Sequence, residues 1–241
     1  MTDATTPSSR PVGQWAWLGR VAFARAAAQQ EEIRRAILDG RSPETLLLLE
    51  HPAVITLGRS ADTANVLFSE STLAAEGIEV ARASRGGDVT YHGPGQLVGY
   101  PIVSVRKGVR AHVKGMASAI INVLSSLGID GHYRDDAPGV WVTRDGLECK
   151  IAAFGINVHK RIAVHGFAFN LRPAMAHFSR IVPCGLAAFS VVSVEQILGS
   201  APTPEEIAPM MARALSESLD IDFTLSAQST LELLCGPTSL E

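Results

Sequence analysis

Residues 139–171 read GVWVTRDGLECKIAAFGINVHKRIAVHGFAFNL, and this stretch decides the fold. It is rich in Val, Ile, Phe and Trp, which suit a pleated, half-buried surface. Asp145-Gly146 is a two-residue hairpin signal, since both residues tolerate the positive φ of a tight hairpin turn. His159-Lys160-Arg161 turns the chain again. The stretch therefore predicts three strands, over 139–143, 147–158 and 162–171.

Working outward, the apolar runs at 45–49 and 54–57 read as strands parted by His51-Pro52, and 78–83 and 97–105 read as two more. Helical spacing of Val21, Phe23, Ile33, Ile37 and Leu38 predicts a helix over 19–39, stopped by Gly40. Val113, Met116, Ile120, Ile121 and Leu124 predict a second over 110–127, ending at Gly128. Thr203-Pro204-Glu205-Glu206 is a capping box with Pro at the first helical position, and it opens a third helix running to about residue 218. Strands cluster in the middle, helices flank them, and there is no βαβ rhythm. The expectation is an α+β fold, a mixed sheet flanked by helices. Residues 1–13 read as a disordered leader, 14–220 as one catalytic domain, and 221–241 as a weak C-terminal tail.

Composition narrows the function classes. With 46% apolar and 19% charged residues in 241, the chain can bury a real core. A net charge of −3 gives no whole-protein basic field and argues against nucleic acid as the main ligand. Three cysteines, Cys149, Cys184 and Cys235, suit neither a disulfide framework nor a zinc finger. No run is long and apolar enough to span a bilayer, and the polar N-terminus has no signal-peptide core. The expected location is the cytoplasm, with reduced thiols.

Four segments carry chemistry. The first runs Arg85-Gly86-Gly87-Asp88-Val89-Thr90-Tyr91-His92-Gly93-Pro94-Gly95-Gln96. Its glycines let backbone approach a ligand closely, Arg85 can grip a carboxylate or phosphate, and His92 can exchange protons near neutral pH. A ligand-free glycine-rich hairpin would carry the same residues, and no Gly-Lys-Ser/Thr follows to make a P-loop. The second is Glu148-Cys149-Lys150-Ile151-Ala152-Ala153-Phe154-Gly155. Lys150 lies in an apolar strand, where a lysine is costly unless paired or functional, although at a strand edge it would simply reach water. Ala153 and Gly155 are small residues on one face, as a narrow tunnel requires; alternation turns Cys149 away from Lys150, so Cys149 reads as structural. The third, His165-Gly166-Phe167-Ala168-Phe169-Asn170, suits an apolar pocket lining or plain core. In the fourth, Pro183-Cys184-Gly185, a cysteine in a segment without helix or strand period reads as an accessible thiol.

In this order the four segments resemble the lipoyl (octanoyl) transferase family, the octanoyl-[acyl-carrier-protein]:protein transferases of lipoate biosynthesis. The similarity spans residues 44–198 and includes Leu48-Leu49-Glu50-His51-Pro52 and Leu97-Val98-Gly99-Tyr100-Pro101. It departs at 190–195, Ser-Val-Val-Ser-Val-Glu, where a Thr-Ser-Leu pattern is expected. The resemblance implies the fold of lipoate and biotin protein ligases. It implies Cys184 as the acyl-thioester nucleophile and Lys150 as the lysine that lowers that thiol's pKa. It implies substrate binding by Arg85, Gly86, Gly87, Asp88, Val89, Thr90, Tyr91 and His92, by Ala153, Phe154 and Gly155, and by Gly166, Phe167 and Ala168.

It further implies acyl carrier protein as donor, and as acceptors the lipoyl domains of 2-oxoacid dehydrogenase complexes and the glycine-cleavage H protein. Neither ATP nor metal is expected, because a thioester donor and an amine acceptor make the transfer downhill. Three rivals stay open: an ATP-dependent lipoate or biotin ligase, a non-catalytic binding module, and a cysteine hydrolase.

Overall fold

A computed structural model of the chain describes residues 10–182 and 190–226. Cys184 and Cys235 lie outside the described residues. A nine-stranded mixed sheet forms the body. Its path runs from β12 (Asp222–Leu225) through β1 (Val12–Arg20), β2 (Glu44–Glu50), β6 (Gln96–Ile102), β10 (Ile162–Asn170), β9 (Leu147–His159) and β8 (Gly139–Arg144) to β7 (His132–Tyr133), with β11 (Ser190–Val191) also paired to β9. Pairing is parallel at β12–β1, β1–β2 and β11–β9 and antiparallel elsewhere.

Strand β2 shows why the sheet is central. Leu46, Leu47, Leu48 and Leu49 are all fully buried. Alternate residues on a strand face opposite ways, so both faces must be covered. Leu46 and Leu48 pack in the cluster that holds α3 (Val109–Ser126) and α5 (Pro204–Leu219), while Leu47 and Leu49 pack in the cluster that holds α1 (Phe23–Leu38). An unbroken apolar run is what a strand between two helical layers requires.

A small second sheet, β4 (Glu79–Arg82), β3 (Val54–Leu57) and β5 (Val89–His92), has its own core with Leu73 of α2 (Glu70–Ala75). The glycine block at 85–88 joins β4 to β5, and Gly93-Pro94-Gly95 joins β5 to β6 and the large sheet. Short α4 (Val194–Leu198) starts at Ser193, whose side chain forms a capping box with Gln196. The departure at 190–195 thus encodes an edge strand and a helix cap. No helix among the described residues is long and apolar enough to cross a membrane.

The three central strands, the strand at 45–49 and the helices expected over 110–127 and from Thr203 all form, the last with its capping box. Three readings need correction. The helix expected from residue 19 begins at Phe23, and Val12–Arg20 is a strand. Residues 12 and 13, assigned to the leader, pair in the sheet, and 222–225, assigned to the tail, form its parallel edge strand. The edge strand is packed: Phe223 is buried in the α3/α5 cluster, and a Cβ on Gly13 would stand 2.8 Å from its ring.

Phe223→Ala should therefore destabilise the fold by about 3 kcal/mol, the cost of truncating a core phenylalanine. Urea unfolding measures it; a change below about 0.5 kcal/mol, typical of surface positions, would return 221–226 to the status of a tail.

Candidate active site

A cavity opens between the two sheets. Arg85, Gly87, Asp88, Val89, Thr90 and His92 line it from the small sheet, and Ala153, Phe154, Gly155, Gly166, Phe167 and Ala168 from β9 and β10. These residues come from three separated stretches of sequence. Small residues make the convergence possible. A Cβ on Gly155 would stand 2.8 Å from Cδ of Arg85, so the arginine stem crosses β9 at the one residue without a side chain. Gly166 is needed where β10 passes β6, because a Cβ there would collide with the Gly99 carbonyl. The Gly86 N–H donates to the Ile156 carbonyl at 2.9 Å and ties the glycine block to β9.

Arg85 is 8% exposed, and its guanidinium grips the protein itself. Nη2 donates to the Thr56 carbonyl at 2.7 Å and to its hydroxyl at 2.8 Å, and Nη1 donates to the Gly86 carbonyl at 3.1 Å. Much of this donor fork holds strand β3, where the sequence offered it to a carboxylate or phosphate. Asp88 likewise accepts from the Asp62 N–H and the Asn65 amide, stapling the turn Thr63–Asn65 beneath the cavity rim.

His92 also differs from its expected role as a proton exchanger near neutral pH. Burial, then the neighbouring His51 and Arg85, push its pKa well below the usual value. Hydrogen bonding fixes its tautomer. Gln96 Nε2 donates to the Tyr91 carbonyl and to Asn170 Oδ1, so Gln96 Oε1 is the acceptor and His92 Nδ1 donates to it at 2.7 Å. The unprotonated Nε2 faces the Thr56 hydroxyl at 3.4 Å. Asn170 Nδ2 continues the chain to the Val192 carbonyl, and the Val192 N–H bonds the carbonyl of Lys150. A directed relay of hydrogen bonds thus joins Arg85 to the β9 backbone at Lys150.

Two further buried histidines stand here, His165 in the cavity wall and His51 behind Tyr100. His51 Nδ1 donates to the Val21 carbonyl at 2.6 Å, which leaves Nε2 to accept the Tyr100 hydroxyl at 2.7 Å. Burial lowers its pKa to about 4, against the Val21 bond, which raises it. His165 bonds Ser84 through Nε2 at 2.8 Å, and burial followed by Arg85 lowers it to about 4. Its backbone has φ +60°, uncommon outside glycine, and its N–H turns to Gln30 of α1.

Lys150 is placed mid-sheet and does not line the cavity. It pairs with Trp141 on β8 and Val191 on β11, so the strand-edge explanation of this lysine fails. Its stem crosses Gly139, where a Cβ would stand 2.9 Å from Cε. Its ammonium lies 4.8 Å from the centre of the Trp141 ring and 3.4 Å from the Pro138 carbonyl. Cys149, on the same strand, is buried in the core with its thiol pKa pushed up by burial, as a structural cysteine should be. Tyr91 and Gly86, both expected to touch substrate, are not in the cavity wall. Tyr91 is buried in the small sheet's core, bonded to His177 at 2.8 Å, because β5 alternates and Tyr91 faces the side opposite Thr90 and His92.

The lipoyl protein ligase A/B catalytic domain family matches residues 23–216. An octanoyltransferase of Alkaliphilus metalliredigens is 44% identical over 191 residues, covering 76% of this chain and 84% of the relative. One from Caldicellulosiruptor saccharolyticus is 39% identical over 222 residues, covering 90% and 92%. The chain belongs to the octanoyltransferase family. Its fold is shared with solved lipoate-protein ligases. A lipoate-protein ligase A solved with bound ATP aligns at TM-score 0.72 with 20% identity, over 95% of this chain and 97% of that one. The bipartite Thermoplasma acidophilum ligase, studied with its E2 lipoyl domain, aligns at TM-score 0.69 with 20% identity, over 96% and 95%. The lipoate-ligase fold expected from the sequence is therefore observed, and the family is one of acyltransferases.

Residue-level reading of this octanoyltransferase-family chain missed Thr56, Phe23 and Tyr100 as parts of the site. Thr56 gave the one available signal, a polar residue in a fully buried strand. Among the described residues no three His, Cys, Asp or Glu side chains group to hold a metal.

The buried histidines set an acid limit. A native pKa near 4 against about 6.5 unfolded means the unfolded chain takes up protons first as pH falls. Stability is fully present above about pH 6.5 and falls towards pH 4, by up to about 3 kcal/mol for each of His51 and His165. Urea midpoints at pH 7 and pH 5 should show the loss, and histidine ¹⁵N shifts should report neutral rings at pH 5.5. Charged rings at that pH would refute it.

Proposed function

We propose that this chain moves an octanoyl group from acyl carrier protein to a lysine of lipoyl domains, through a thioester on Cys184. The observation that carries the reading is where the described residues flanking 183–189 are held. On one side the Val182 N–H bonds the Asn65 carbonyl at 2.8 Å, and Asn65 in turn grips Asp88 on the cavity wall. On the other, Ser190 and Val191 pair with Cys149 and Lys150. The described residues on either side of 183–189 are thus anchored one beside the cavity and the other beside Lys150.

The chemistry balances without a nucleotide. A free thiol is only about 3% ionised at neutral pH, and the Lys150 ammonium favours the thiolate. The thiolate attacks the donor carbonyl, the carrier sulfur leaves, and Lys150 supplies its proton. The acceptor lysine amine then attacks the Cys184 thioester, giving up a proton to Lys150 as the amide forms and the Cys184 sulfur leaves. Developing negative charge on oxygen needs donors. The Gly86 amide is engaged with Ile156, which leaves Gly87 and the Cys184-Gly185 amides as candidates. The cavity wall of Ala153, Gly155, Phe167 and Ala168 suits an apolar chain, at about 0.8 kcal/mol per buried methylene. The acceptors in this reading are the lipoyl domains of 2-oxoacid dehydrogenases and the glycine-cleavage H protein, and the setting is the cytoplasm. Neither ATP nor metal takes part.

Two measurements decide. Octanoyl-loaded acyl carrier protein, without acceptor or ATP, should add about 126 Da to the protein as a hydroxylamine-labile adduct at Cys184. A lipoyl domain should discharge it, and Cys184→Ala should fold yet transfer nothing. Turnover without an adduct, or only with free octanoate and ATP, would overturn the reading. Lys150→Ala should move the alkylation titration of Cys184 to higher pH by about one unit or more, and an unchanged curve would remove Lys150 from its role.

A further inference from the structure

We infer that Phe23 sets the length of acyl chain that the cavity accepts, by closing its inner end; this rests on the octanoyl-transfer reading. The cavity has a mouth and a floor. Gly87 is exposed, and Asp88, Phe154 and Gly155 are half-buried. Phe23, Tyr100, His165 and His92 line the same space and are 3%, 4%, 5% and 6% exposed. An acyl chain that enters with its thioester at the open side therefore brings its methyl end against these four.

Three of the four are committed to polar bonds. Tyr100 bonds His51, His165 bonds Ser84, and His92 bonds Gln96. Phe23 is held by packing, its ring edge-on to His51 with centroids 5.5 Å apart. It is the first residue of α1, so its ring is fixed by a helix that spans one face of the large sheet. A methyl terminus offers no hydrogen bond, so chain length can be read only as space. Phe23 is the floor residue whose size can change while the hydrogen bonds around it stay intact.

The test is a competition. The protein is mixed with equal amounts of hexanoyl-, octanoyl-, decanoyl- and dodecanoyl-acyl carrier protein, and the adducts are compared by intact mass. Octanoyl should dominate in the unmodified protein. Each methylene newly accommodated is worth about fourfold. Phe23→Ala should then raise the decanoyl-to-octanoyl ratio by roughly 16-fold, two methylenes' worth, Phe23→Leu should raise it less, and Phe23→Trp should raise hexanoyl over octanoyl. Unchanged ratios in folded Leu and Trp variants would overturn the assignment. Loss of folding in all three variants would also overturn it, by making Phe23 a packing residue alone. Absence of any adduct on the unmodified protein would overturn the octanoyl-transfer reading beneath it.

Discussion

The guanidinium of Arg85, buried at the seam between the two sheets, is the contact on which the site depends. It holds the small sheet through both the carbonyl and the hydroxyl of Thr56, while its stem lies across Gly155 of the large sheet. A buried cation is costly unless hydrogen bonds replace its water. Thr56 and the Gly86 carbonyl supply such bonds here, and the nearby histidines are kept neutral rather than adding charge. Burial supplies most of that neutrality, and Arg85 itself contributes to it at His92 and His165. One arginine therefore joins the two sheets and adds to the effect of burial in keeping the wall's histidines neutral.

Much of this was legible in sequence because the signals were local. The strands of 139–171, the capping box at Thr203 and the glycines of 85–96 each announce a backbone requirement within a few residues. The two strands at this end of the sheet were not legible. Val12–Arg20 alternates poorly and carries Gly13 and Gly19, and Asp222–Leu225 is four residues long; the first is a strand because β12 and β2 flank it, and the second because β1 lies beside it. Pairing between residues more than two hundred apart leaves no local trace.

The site followed the same division. Residue types named the cavity wall well, because glycine and alanine are conspicuous where backbones must approach. They did not show what the charged residues hold inside the fold. Arg85, Asp88 and His92 look like ligand-binding groups in a linear sequence, yet in the fold they bond Thr56, Asp62 and Asn65, and Gln96. Their pattern reflects the difficulty of joining two sheets through a polar, glycine-rich crossing. The wall that results is apolar where β9 and β10 face it, His165 apart, and neutral elsewhere except at Arg85 and Asp88, a surface suited to a hydrocarbon chain.

Separation of the lysine from that wall has a physical logic. An ammonium inside an apolar cavity would lose its hydration and much of its basicity. Lys150 instead lies outside the cavity, its stem over Gly139 and its charge against the face of Trp141, where a ring quadrupole offsets part of the lost hydration. The relay from Arg85 through Thr56, His92, Gln96 and Asn170 ends on Val192, which holds the Lys150 backbone. The described residues flanking 183–189 are anchored one to each side of the same seam, Val182 at Asn65 and Ser190 at β9. A change in sheet spacing would therefore move the cavity rim relative to Lys150, even if every residue facing substrate were untouched. In the proposed reaction the seam is thus as much a determinant of geometry as the groups assigned to react.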